Sequence, residues 1–168
     1  AGVMSMGGFG NRQRFAIWAP NCGEWIIAAL AGQALGGILV PLNTRYKGAE
    51  AADILRRSHC KLLFTVDGFL GHDYPAMLEG EDLPDISQTI LLRGKSGDPF
   101  LEYVRGEGLS VTEADIANLH DQDLSDFIFT SGTTGAPKGA MTTHGQNVDV
   151  FASFTDAIGM NGGDRYLV

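Results

Sequence analysis

Ten consecutive residues, Thr130-Ser131-Gly132-Thr133-Thr134-Gly135-Ala136-Pro137-Lys138-Gly139, bring together four hydroxyls, three glycines and one lysine, with no acid or bulky apolar side chain among them. Each residue type suits the capture of a polyphosphate. Glycine has no Cβ, so Gly132 and Gly135 can turn through positive φ and let backbone N–H groups close on an anion. The hydroxyls of Thr130, Ser131, Thr133 and Thr134 can donate to phosphate oxygens or act as hard oxygen ligands to Mg2+. Pro137 fixes its own φ and biases Ala136 toward extended backbone, which stiffens the approach to Lys138. Lys138 then offers a compact, mobile positive charge at the rim. The stretch reads as a phosphate-binding loop.

Its spacing is not that of the Walker A loop, which runs G-x-x-x-x-G-K, then Ser or Thr, directly into a helix. Here Pro137 stands five residues after Gly132, and Gly139 follows Lys138. The flanks, Asp126–Phe129 before and Ala140–His144 after, both read as strands, so the loop is expected to join two strands. A flexible Gly/Ser/Thr linker is the bland alternative that composition allows. Such linkers rarely lie between apolar strands or end in Pro-Lys-Gly.

The rest of the chain supplies elements able to position such a loop. Phe15–Ala19 is a short apolar run bounded by Arg14 and Pro20, which suits a buried strand. Asn21 with Glu24 three residues later has the form of a capping box. The helix expected from Glu24 to Leu35 is apolar on nearly every side, as in helices buried between layers. Gly36-Gly37 ends it, and Ile38–Val40 gives the next strand. Ala49–Ser58 has helical spacing, although Lys47-Gly48 leaves its start without a Ser or Thr cap. Lys61–Val66 and Thr89–Leu92 read as strands, Gly68–Leu78 as a helix, and Pro99–Arg105 as a helical turn or two. An acidic connector then leads to Asp126, and Gln146–Ile158 reads as an amphipathic helix. This alternation predicts an α/β fold, a mostly parallel sheet flanked by helices on both faces.

Composition bounds the function. At 168 residues, 44% hydrophobic and 19% charged, the chain has the balance of an ordinary globular protein. A net charge of −8 argues against general nucleic-acid binding, which relies on Lys and Arg. It leaves a single nucleotide open, since that needs only local N–H donors, one or two cations and Mg2+. Cys22 and Cys60 could form one bridge, but this much apolar content needs no staple, so they read as free thiols. No basic-then-apolar leader and no membrane-length apolar run is visible, and the cytoplasm is the expected compartment. His59, His72 and His120 lack ligand spacing. The acids from Glu107 to Asp126 do not repeat on one face and read as a solvated connector. Trp18 and Trp25 read as core. His144 reads either as a substrate-positioning group or as a structural hydrogen-bonding residue that caps the following helix. Ala1–Gly8 resembles the last turns of a helix, and Tyr166-Leu167-Val168 stops within a strand pattern, so a segment of a longer protein is expected.

The ten-residue loop, the strand before it and His144 after it resemble the signature loop of the AMP-forming adenylate ligases, the superfamily of acyl-CoA synthetases, luciferases and peptide-synthetase adenylation domains. Arg14–Asn21, the helix through Glu24-Trp25, and Gly36–Tyr46 are similar to the first half of an acyl-CoA synthetase, as is Asp164–Leu167 to the segment after the loop. The resemblance covers nearly the whole chain, with few distinctive positions in 67–123. Arg45 also fits the family pattern and is assigned a structural pairing role.

The resemblance implies that residues 1–168 are part of a larger, multi-subdomain N-terminal domain, without the mobile C-terminal domain and its catalytic lysine. It implies a parent enzyme that activates a carboxylic acid, fatty or steroid-derived, as acyl-AMP with pyrophosphate release, then transfers it to coenzyme A. ATP would be held by Thr130, Ser131, Gly132, Thr133, Thr134, Gly135 and Lys138, with Thr130 near Mg2+, and the segment alone is expected to be inactive. Two alternatives stay open: an amino-acid adenylation domain loading a carrier protein, and a non-catalytic nucleotide or phosphate sensor.

Overall fold

The computed structural model describes residues 9, 12–93, 100, 113–130 and 137–166. The expected elements at Ala1–Gly8 and Pro99–Arg105 therefore lie outside the described residues, apart from Phe100.

The apolar run after Arg14 forms β1 (Arg14–Trp18), whose Phe15, Ala16, Ile17 and Trp18 are all fully buried. Burial on both faces is what a near-continuous apolar strand requires, and it marks the centre of a parallel sheet. Helix α1 (Gly23–Ala34) leads to β2 (Ile38–Pro41), then α2 (Gly48–Ser58) to β3 (Cys60–Val66). The short α3 (Tyr74–Met77) precedes β4 (Gln88–Arg93). Helix α4 (Glu113–Ala117), β5 (Leu124–Thr130), β6 (Lys138–Thr143) and α5 (His144–Ile158) complete the order. The strands form one sheet in the order β4-β3-β1-β2-β5-β6. All pairings are parallel except β5 with β6.

Residue parity on β1 shows that helices cover both faces. Phe15 points to α1: a Cβ on Gly32 would lie 2.3 Å from its ring. Trp18, of opposite parity, stacks on Tyr74 of α3 at 4.3 Å between centroids and 6° between planes. Right-handed crossovers give the same result, because the chain steps one way from β1 to β2 and the other way from β2 to β3.

Three local expectations are corrected. Helix α1 is capped by Cys22 in extended backbone, not by Asn21. Glu24 turns inward and pairs with Arg93, its Oε2 2.7 Å from Nε, so it is not free to close a capping box. That helix also places Ala28, Ala29 and Gly32 against the sheet and leaves Ile26, Ile27 and Leu30 exposed; small residues let it approach closely. Finally, 68–72 is a tight turn, not a helix. Phe69 and His72 exchange backbone hydrogen bonds around Leu70 and Gly71, both at positive φ, and Asp73 then caps α3 by accepting from the Ala76 N–H.

Both cysteines are free. Among the described residues no helix is long and apolar enough to cross a membrane.

Candidate functional site

The sheet's one antiparallel pair is the frame of the glycine-rich loop. Across β5 and β6 the register runs from Leu124 opposite Thr143 to Thr130 opposite Lys138. The two loop ends are therefore cross-strand neighbours, and their side chains start from one face of the pair. Thr130 and Lys138 are both exposed. Among the described residues no hydrogen bond or ion pair engages the Lys138 ammonium. Ser131, Gly132, Thr133, Thr134 and Gly135, the other expected phosphate ligands, lie outside the described residues.

The strand leading into the loop is firmly held. Ser125 and Asp126 are buried at the start of β5. Gln33 of α1 donates to Ser125 Oγ at 2.8 Å. Asn147 of α5 donates to the same oxygen at 3.1 Å and to Asp126 Oδ2 at 2.6 Å. On the far side of the loop, the end of β6 is set by the start of α5. Thr143 Oγ1 accepts from the Gln146 N–H, and the Gln146 side chain accepts from the Thr143 N–H, a reciprocal cap. Thr143 is thus the cap and His144 the first helical residue. The His144 ring has its Nε2 buried, with no hydrogen-bond partner among the described residues.

The two roots of the loop meet a third and a fourth element. Tyr46 Oη donates to the Phe129 carbonyl at 3.4 Å. Tyr46 follows a segment pinned by Trp18 Nε1 to the Asn43 carbonyl at 3.1 Å and by Tyr74 Oη to the Thr44 carbonyl at 2.9 Å. From α2, Arg57 sets its guanidinium 5.3 Å from the Phe129 ring centroid and donates from Nη2 to the Pro137 carbonyl at 2.7 Å. Across the pair, Gly139 leaves room for the same ring: a Cβ there would come within 3.3 Å of Phe129.

Sequence reasoning proposed Thr130 and Lys138, which the register sets opposite each other, and did not single out Tyr46, Arg57, Asp126 or Asn147 around them. Asp53 and Arg57 are spaced i,i+4 and form a surface helix pair at 3.2 Å. Nothing in that spacing signals a loop 80 residues downstream. Arg45, by contrast, is exposed and its guanidinium has no partner among the described residues; only its backbone N–H bonds, to Asn43 Oδ1 at 2.9 Å.

The described residues contain no cluster of three or more His, Cys, Asp or Glu able to hold a metal. Thr130 contributes one neutral oxygen. That suits a cation arriving with its own phosphate ligands and does not suit a resident ion.

The family described as AMP-binding enzyme matches the chain over residues 1–168. A relative from Mycobacterium tuberculosis, named as a 7a-methyl-1,5-dioxo-octahydro-inden-4-yl propanoyl:CoA ligase, is 40% identical over 157 residues, covering 92% of this chain and 31% of that protein. A ligase of the same name from Rhodococcus jostii is 35% identical, covering 91% and 32%. Among solved structures, the O-succinylbenzoate coenzyme A synthetase of Bacillus subtilis in complex with AMP superposes with a TM-score of 0.74 at 25% identity, over 99% of this chain and 39% of that one. The chain spans about a third of the length of these curated relatives.

Proposed function

The chain belongs to the AMP-binding enzyme family, and from that premise we propose that it carries the pyrophosphate-holding part of an AMP-forming acyl-CoA ligase. The substrates are a carboxylic acid, Mg·ATP and coenzyme A. The observation that carries this reading is the Thr130–Lys138 cross-strand pair at the ends of a sequence of hydroxyls and glycines, with the Lys138 side chain exposed.

In the first half-reaction a carboxylate oxygen attacks the α-phosphorus in line, and the bond to the bridging oxygen of pyrophosphate breaks. Negative charge grows on the leaving group, so a catalyst gains most from fixed positive groups placed there. Lys138 supplies one. Thr130 and the loop residues Ser131 to Gly135 supply hydroxyl and backbone N–H donors for the β- and γ-phosphates, with Thr130 beside the Mg2+ that the nucleotide brings. The paired strands β5 and β6 set Thr130 and Lys138 opposite each other before charge develops. The second half-reaction transfers the acyl group to the coenzyme A thiol and releases AMP. The acid is of the apolar, fatty or steroid-derived class, consistent with relatives named for a propanoyl group on a bicyclic ring.

The test is Lys138→Ala in the enzyme of full length. Losing one charge-assisted interaction, about 2–3 kcal/mol, lowers kcat/KM for ATP in adenylation roughly 30- to 150-fold. Transfer from supplied acyl-adenylate to coenzyme A has no pyrophosphate to hold and changes little. Lys138→Arg restores part of the first step, because a planar fork does not replace a point charge. Equal damage to both half-reactions would remove the phosphate role.

A further inference from the structure

We propose that Arg57 is a positioning residue for the phosphate loop, gripping both of its roots from helix α2 without touching the nucleotide. The inference rests on the reading of 130–138 as a phosphate loop.

The three engagements of this guanidinium divide by direction. Its Nη1 bonds Asp53 Oδ2, one turn earlier on its own helix, at 3.2 Å. Its Nη2 reaches the Pro137 carbonyl, immediately before Lys138, at 2.7 Å. Its central carbon lies 5.3 Å from the ring centroid of Phe129, immediately before Thr130. One planar group thus contacts the residue that enters Thr130 and the residue that enters Lys138, and Asp53 holds it to the helix. A guanidinium does this because its donors form a rigid fork and its face attracts an aromatic ring. Lysine, with one compact head, could make either loop contact but not both.

A role in holding the fold explains these contacts less well. Arg57 is 39% exposed and borders a cleft of about 490 Å3, so its side chain fills no core space. An exposed i,i+4 pair adds little to a helix. The contact to Pro137 spans 80 residues of sequence and ends one residue from the proposed phosphate ligand. The consequence of losing it therefore falls on the geometry of the loop: Lys138 keeps its charge and loses its fixed place.

The experiment compares Mg·ATP with AMP as calorimetric ligands of the full-length enzyme, since AMP lacks the phosphates the loop is proposed to hold. Arg57→Ala is expected to weaken Mg·ATP about 10-fold or more, as misplacement of a binding group does, and to leave AMP affinity within about twofold. Arg57→Lys recovers little, because the fork is lost. Asp53→Asn, which frees the guanidinium from its helix only, has a smaller effect of the same kind. In the Lys138→Ala background Arg57→Ala has less effect than it has alone, because the group it positions is gone. Thermal midpoints separate the two roles: a fold-holding arginine would lower the midpoint while leaving the ATP-to-AMP ratio intact. If Arg57→Ala does not fold, Arg57→Gln, which keeps one donor, gives the same comparison. Parallel losses for ATP and AMP, or full additivity with Lys138→Ala, would overturn the inference while the phosphate reading stands. If Lys138→Ala itself leaves Mg·ATP binding unchanged, the phosphate reading falls and this inference with it.

Discussion

Cys60 and Cys22 present the same atom to two different media. Cys60 is fully buried at the start of β3, with Sγ 3.1 Å from Ser58 Oγ, and burial pushes its thiol up to about 12. Cys22 caps α1 half-buried, and burial raises its thiol too, opposed by the nearby Trp25 backbone N–H. The reactive form is the thiolate, and both sites disfavour it. Alkylation by iodoacetamide at about pH 8 in native buffer should therefore modify Cys22 slowly and Cys60 not at all, with both reacting fully in denaturant. Peptide mapping decides it; native labelling of Cys60 would mean that the start of β3 opens from the sheet. At this scale the sequence marks Thr130 and Lys138 as candidates because loop chemistry is local: hydroxyl, glycine and lysine types suggest a phosphate ligand within ten residues. Arg57 and Asn147 were not legible, because an arginine on an exposed helix face carries no mark of the distant carbonyl it will meet.

Long-range pairing also shapes the elements. Arg93, at the end of β4, holds the Glu24 carboxyl below its ordinary value of 4.5 despite the opposing effect of burial, and so ties the first turn of α1 to the far strand of the sheet. Asp85, hydrogen-bonded by Lys61 and then His59, is likewise held below its ordinary 3.8. A carboxylate depressed in the folded state adds stability that is fully present above its unfolded pKa and is lost as pH falls through the folded one. The thermal midpoint should thus be flat from neutrality to about pH 5 on this account and decline below it. Arg93→Met removes the pairing and leaves burial, which favours the protonated acid. The variant's deficit, roughly 2–4 °C per kcal/mol lost, should be largest at neutral pH and shrink on acidification; a deficit that grows in acid would contradict the assignment. The same pair explains why Asn21 and Glu24 misled as a capping box: the motif is right locally, but Glu24 has a partner 69 residues away. The 68–72 turn was missed because Leu70 takes positive φ, a conformation its type rarely adopts. The central strands and helices were legible because apolar runs and helical spacing are local signals, and β1 to β4 lie close to where those signals put them.

At the scale of the whole molecule, the proposed role gives the described residues one end of a nucleotide and little else. Thr130 and Lys138 are the proposed phosphate contacts; no acidic cluster able to hold a metal stands beside them among the described residues. The chain spans about a third of its curated relatives. Charge-assisted hydrogen bonds contribute about 1.5–3 kcal/mol each. Immobilising a ligand costs about 4–15 kcal/mol before any net affinity remains. Two or three phosphate contacts therefore offset little more than that cost. The 168-residue chain by itself should bind Mg·ATP no more tightly than about millimolar. It should release no pyrophosphate in response to added fatty or steroid-derived acids, and form no acyl-CoA. Titration calorimetry with Mg·ATP and a coupled pyrophosphate assay on the purified chain check both statements. Micromolar binding, or acid-dependent pyrophosphate release, would show that these residues already contain an adenine pocket and an acid site. The centre of the reaction would then have to be sought elsewhere in these residues, and not only where β5 meets β6 at Thr130 and Lys138.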